Sequence, residues 1–175
     1  MDNLIDLIIT RRSVREFKPD MLPQKDIEKI INAGLYAASG MNRQETIIIA
    51  VSDKKTRDEL MEMNRKIGGW EGGFDPFYGA PVVLVVLAKK SNPTKVYDGS
   101  LVIGNLMLAA HSLGIGSCWI HRAKEEFECE EGKYILKSLN IPDEYEGIGH
   151  CILGYPLKSD SSMTPRKKNR VYFVN

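Results

Sequence analysis

The stretch from Asp98 to Leu113 limits what this chain can fold into more than any other. Read as a helix capped by Asp98, it spreads Leu101, Val102, Ile103, Leu106, Met107, Leu108, Ala109, Ala110 and Leu113 around almost the whole circumference. A helix with so little polar face must be covered on all sides. One domain of 175 residues can scarcely provide that cover alone, so the helix is expected at a subunit interface. Gly114 and Gly116 end it, ahead of a short strand, "SCWI".

The rest of the chain alternates helix and strand patterns. Leu4, Leu7, Ile8 and Arg11 recur at helical spacing behind Asp2 and Asn3. After Pro23, Ile27, Ile30, Ile31, Gly34, Leu35 and Ala38 line one face of a second helix, which enters a polar loop from Ser39 to Gln44. "TIIIAVS" and "VVLVVLA" read as buried strands, separated by a charged surface helix from Asp53 to Lys66. A further helix is expected near Glu125 to Leu139, and "IGHCILGYP" supplies a fourth strand. The β-prone "VYFV" comes after a basic run that opens at Pro165. Without repeats or a linker, residues 1–175 read as a single domain of α/β or α+β type.

Several function classes drop out. With 24 Lys and Arg against 23 Asp and Glu, no global field favours nucleic acid or a membrane. No apolar run reaches the roughly 20 residues of a spanning helix. Met1 to Thr10 lacks the basic opening of a signal peptide, so the cytoplasm is the expected compartment. Cys118, Cys129 and Cys151 have no C-x-x-C spacing, which fits reduced thiols better than a disulfide framework or a zinc site. Three scattered histidines suggest no metal cluster. There is no G-x-G-x-x-G, no P-loop, no H-E-x-x-H and no G-x-S-x-G.

Two stretches stay unexplained by these patterns. "TRRSVREF" groups Arg11, Arg12, Ser13 and Arg15 at the end of the first helix. Cations there complement the last carbonyls of a helix, which accounts for Arg11 and Arg12 but not for Ser13 or Arg15. "GGWEGGFDPFYGAP", Gly68 to Pro81, holds five glycines, two prolines and four aromatics in fourteen residues. It is too irregular for an element and too aromatic for a tether, as binding loops and lids often are.

Taken in order, "RRSVREF", "ASGMNRQ", "DGSLVIGNLMLAAHSLGIGSCWI", "ILGYP" and "TPRKK" resemble the motifs of the nitroreductase family of FMN-dependent flavoproteins. The resemblance covers nearly the whole chain. It departs at Ala38 and at Glu45-Thr46, where the family often has Pro and Pro-Trp. It implies an α+β fold with a central, mainly antiparallel sheet flanked by helices, in a homodimer that exchanges its C-terminal strand, Val171 to Val174. Arg11, Arg12, Ser13 and Arg15 would then hold the FMN phosphate and ribityl chain. Forked guanidinium donors and a hydroxyl suit a dianionic phosphate. Arg166 and Lys168 would close on the same phosphate. Ser39, Gly40 and Asn42 would reach the flavin from the partner subunit.

By the same resemblance, the segment from Trp119 to Arg122, with Ile120 and His121, passes beside the flavin, where a backbone N–H can bond N5. His121 either donates a proton to substrate or is a surface histidine. Asn64 either meets the pyrimidine edge of the flavin or caps its helix. The segment from Gly68 to Gly79, with Trp70, Phe74, Phe77 and Tyr78, is either the wall of an acceptor pocket or an aromatic mini-core. Cys118 is read as an inert buried thiol. The implied activity is ping-pong hydride transfer from NAD(P)H to nitroaromatic, quinone or similar small electron-poor acceptors. Reductive dehalogenation, flavin processing and flavin binding without turnover remain the alternatives.

Overall fold

The computed structural model describes residues 3–158 and 164–174. Its first helix, α1 (Leu4–Thr10), is capped by the side chain of Asn3, which accepts from the Ile5 N–H at 3.3 Å. Helix α2 (Gln24–Leu35) follows Pro23 and buries Ile27, Ile30 and Gly34. A single 3₁₀ turn, Gly40–Asn42, leads into strand β1 (Thr46–Val51). Helix α3 (Lys54–Gly68) has a capping residue at each end. Asp53 accepts from the Thr56 N–H at 2.8 Å, and Gly69 takes the left-handed conformation that a helix stop favours, at φ 68°.

Strand β2 (Val82–Lys89) is the spine of the molecule, buried from Val82 to Ala88. Helix α4 (Lys95–Ser112), strand β3 (Gly116–Ile120), helices α5 (Ala123–Glu128) and α6 (Glu130–Ser138), and strand β4 (Tyr145–Gly154) complete the order. The sheet runs β1-β2-β4-β3 with every neighbouring pair antiparallel. Alternation along β2 divides the core in two. Val83, Val85 and Leu87 face Leu60, Phe77, Phe127 and Leu136 on the side of α3, α5 and α6. Val82, Leu84, Val86 and Ala88 face Ile27, Ile30, Val102, Ile103 and Leu106 on the side of α2 and α4. This is the expected α+β fold. No helix among the described residues is long and apolar enough to cross a membrane.

Three readings change. Helix α4 begins a turn earlier than expected, and Asp98 is not its cap. The carboxylate of Asp98 is buried and accepts from the Gly40 N–H at 3.0 Å, Asn92 Nδ2 at 2.9 Å and Thr94 Oγ1 at 3.0 Å. Much of α4 is covered inside its own chain, because α2 approaches so closely that a Cβ on Gly34 would come 2.5 Å from Leu106. Leu101 and Tyr97, in contrast, stay exposed. The helix expected over 125–139 is two, α5 and α6, broken where Cys129 takes an extended conformation. Residues 171–174, expected to pair with the sheet of a partner, form no strand within their own chain, and Tyr172 and Phe173 stand in solvent.

Candidate functional site

The Arg11–Arg15 segment leaves α1 and runs beside β3, where Ser13 bridges Ser117 and the Val14 N–H donates to the Ser117 carbonyl at 2.9 Å. This pairing places a cleft of about 660 Å³ along the β3 edge, lined by Arg12, Ser13, Arg15, His111, Ser117 and Lys158 among others. Arg12 is drawn back onto the chain, its Nη1 donating to the carbonyls of Ile9 and Arg11 at 2.7 Å. The guanidinium of Arg11 is partly buried, and its Nη1 has no partner. A buried cationic donor left without an acceptor costs stability, and an anionic ligand would remove that cost. Ser13 and Arg15 are exposed on the same segment.

The Ser39–Gln44 loop forms a second group. Gly40 is fixed twice, by its N–H bond to Asp98 and by Thr94 Oγ1, which would lie 2.4 Å from any Cβ there. Burial disfavours ionisation of Asp98, but the bonds from Asn92, Gly40 and Thr94 outweigh it and hold the carboxyl below the usual range. Ser39 Oγ accepts from the Gln44 N–H at 3.1 Å, and Asn42 Oδ1 from Gln44 Nε2 at 3.0 Å. The two groups are not brought together in one chain: the hollow beside Ser39 is lined by Leu35, Ala37, Asp98 and Val102, not by the arginines. Arg166 and Lys168 also stand apart, both exposed, with Arg166 beside Asn169 and Arg170 in a shallow hollow of its own.

The end of β3 is the third group. Trp119 packs on the α2 and α4 side of the core, against Gly149, and Ile120 packs on the opposite side. Cys118 is buried, as expected of an inert thiol, and desolvation beside it pushes the Cys151 thiol well up. The side chain of His121 is exposed, and its carbonyl accepts from Asn64 Nδ2 at 2.8 Å. Arg122 has a positive φ of 79°, a conformation costly for a residue with a Cβ. Its guanidinium lies 4.4 Å above the Trp70 ring.

The 68–79 segment contains an aromatic mini-core, one of its two readings. Phe77 is fully buried beside His150, with Arg57 5.6 Å from its ring centre. Arg57 in turn pairs with Asp75, whose carboxylate accepts from the N–H groups of Phe77 and Gly79. Trp70, Phe74 and Tyr78 form an outer ladder with centroids 5.1 and 6.2 Å apart, which reaches Arg122.

Asn64 is not a helix cap, because Gly69 performs that task. It is fully buried and bonds Glu126, which bonds His150 at 2.9 Å. Sequence reasoning missed Glu126 and His150. Glu126 stands in the acidic run "EEFECEE", and His150 in an otherwise apolar strand. Only the clash of a histidine with the inward side of "IGHCILG" marked either of them.

Residues 8–155 match the sequence profile of the Nitroreductase family. The chain belongs to that family. Among relatives, an Archaeoglobus fulgidus protein named for NADH dehydrogenase/NAD(P)H nitroreductase is 33% identical over 159 residues, which is 89% of this chain and 87% of that one. A crystal structure of a Bacteroides fragilis nitroreductase with bound FMN superposes at a TM-score of 0.91 with 27% identity, over 100% of both chains. A Desulfitobacterium hafniense nitroreductase with bound FMN gives 0.88 and 26%, again over 100% of both. In family terms, the cleft, the 39–44 loop and the end of β3 carry the motifs on which the resemblance rested.

Proposed function

We propose that the chain is an FMN-dependent oxidoreductase that takes hydride from NAD(P)H and passes it to small electron-poor acceptors such as nitroaromatics or quinones. The observation that carries this is the whole-chain match to two FMN-bound family structures, each above 25% identity. The residues present fit the cofactor. Arg11 holds a partly buried donor with no partner, on the same segment whose Arg12, Ser13 and Arg15 line the cleft, and guanidinium and hydroxyl donors are what a phosphate dianion requires.

Arg11, Arg12, Ser13 and Arg15 would hold the phosphate and ribityl chain, and the backbone from Trp119 to Arg122 the ring edge. When bound, FMN supplies the two-electron redox chemistry. The Trp70, Phe74 and Tyr78 ladder walls off one side and excludes water from an acceptor held there. Reductant and acceptor would use this place in turn, which gives parallel double-reciprocal lines.

In this reading Ser39, Gly40 and Asn42 complete the site from a second copy, and Arg166 and Lys168 close on the phosphate. The exposed Leu4, Ile5, Ile9, Tyr97, Leu101 and Phe173 support a homodimer, since this much apolar surface is rarely left to solvent. Residues 171–174 would then pair with the sheet of the partner. The test is the absorption spectrum of the purified protein and chromatography of the chromophore released by heat. One FMN per chain is expected. A protein that is colourless and cannot be reconstituted, or one that carries FAD, refutes the proposal.

A further inference from the structure

Three buried polar side chains meet beneath the end of β3, each fully shielded from solvent: Asn64 from α3, Glu126 from α5 and His150 from β4. Asn64 Nδ2 donates to Glu126 Oε1 and, at 2.8 Å, to the carbonyl of His121. His150 Nε2 lies 2.9 Å from Glu126 Oε2, and its Nδ1 lies 3.4 Å from the Ile120 carbonyl. A carbonyl can only accept, so Nδ1 carries a hydrogen.

This arrangement is expensive for mere core filling. Both Asn64 amide hydrogens are committed, which leaves its Oδ1 buried with no partner. The amide cannot flip to relieve this, because Oδ1 would then face the His121 carbonyl. What the trio does achieve is to hold two successive carbonyls, Ile120 and His121, from inside. The described residues contain no cis peptide bond. In a trans peptide the carbonyl of His121 and the N–H of Arg122 point to opposite sides, so pulling the first inward turns the second outward. Arg122 sits at this point with its unfavourable φ of 79°.

We infer that Asn64, Glu126 and His150 form a buried positioning unit that presents the Arg122 backbone N–H to the cofactor edge. The role toward the cofactor rests on the reading in the preceding section. Asn64 is thus a positioning residue that acts through the backbone, not a flavin contact. A fixed backbone donor needs no reorganisation when charge develops beside it.

The test compares Asn64→Leu with Glu126→Gln. Three readouts are taken on FMN-loaded protein: amide exchange at Arg122, the midpoint potential of FMN, and the urea unfolding midpoint. The amide introduced by Glu126→Gln can still accept from Asn64 and can donate to His150 Nε2, so this variant is expected to match wild type in the first two readouts. Asn64→Leu is expected to speed exchange at Arg122 by about five- to tenfold, the worth of one hydrogen bond, and to shift the potential while folding stays cooperative. If Asn64→Leu does not fold, Asn64→Ser is read in the same way. Wild-type exchange and potential in the folded Asn64 variant overturn the inference while leaving the cofactor reading in place. So does Glu126→Gln if it behaves like that variant. Absence of FMN binding by wild type overturns the cofactor reading and, with it, the role toward the cofactor.

Discussion

Helices α4 and α1 are both rich in aliphatic side chains, but only one of them is covered. Val102, Ile103, Leu106 and Ala110 of α4 are almost wholly buried between the sheet and α2, whereas Leu4, Ile5, Ile8 and Ile9 of α1 are 48–66% exposed. The difference lies in neighbours and not in composition. Helix α4 has β2 and β4 beneath it and Gly34 admitting α2 from above. Helix α1 lies at the rim, tied to α4 through Thr10 Oγ1, 3.0 Å from His111 Nε2. An apolar helix is therefore a candidate for an interface only where its own chain leaves it bare, and α1 is left bare more fully than α4.

Breaking the comparison on the α4 side should have the largest effect. Leu106→Ala opens a cavity between α2, α4 and the sheet and is expected to cost about 2–5 kcal/mol, read from urea unfolding. The paired change Ile5→Ser with Ile9→Ser should leave the fold within about 0.5 kcal/mol, as exposed positions usually do. It should instead weaken self-association by about tenfold or more, visible by light scattering on dilution. An unfolding cost like that of Leu106→Ala would place α1 in the core after all.

A smaller effect sharpens the contrast at the start of α4. The pKa of Asp98 is lowered in the folded state, so its stabilising contribution is present above the unfolded value of about 3.9 and is lost as pH falls through the folded one. Asp98→Asn should lower stability at pH 7 by about 1 kcal/mol or more. It should also flatten the decline below about pH 4, measured as urea midpoints at the two ends of that range.

Most of the scaffold was legible because it obeys simple periods. The unbroken apolar run of β2, the helical spacing of Ile27, Ile30 and Gly34, and the charged stretch from Asp53 to Lys66 each declare their element. Asp98 misled because a cap and a buried loop anchor use the same residue type, and only the contacts with Gly40 and Asn92 tell them apart. The break at Cys129 was hidden for a similar reason: charged residues run through it without a glycine or proline to punctuate the pattern.

Of the site, the basic cluster was visible as a surplus of cations over what a helix end needs. Its unpartnered donor on Arg11 was not, because burial is decided by the pairing of Ser13 with Ser117 across more than a hundred residues. The trio beneath β3 was out of reach for the same reason. Asn64, Glu126 and His150 come from three elements and share no local pattern.

The most direct test of the account is FMN titration of the apoprotein, wild type against Arg11→Ala, with Lys54→Ala on the exposed face of α3 as control. Arg11 supplies the buried charged donor, so its loss should weaken binding by one to two orders of magnitude, about 1.5–3 kcal/mol, with the fold intact by circular dichroism. Lys54→Ala should bind as wild type does. Equal FMN affinity in all three proteins would contradict the claim that the cleft beside Ser13 holds the cofactor phosphate.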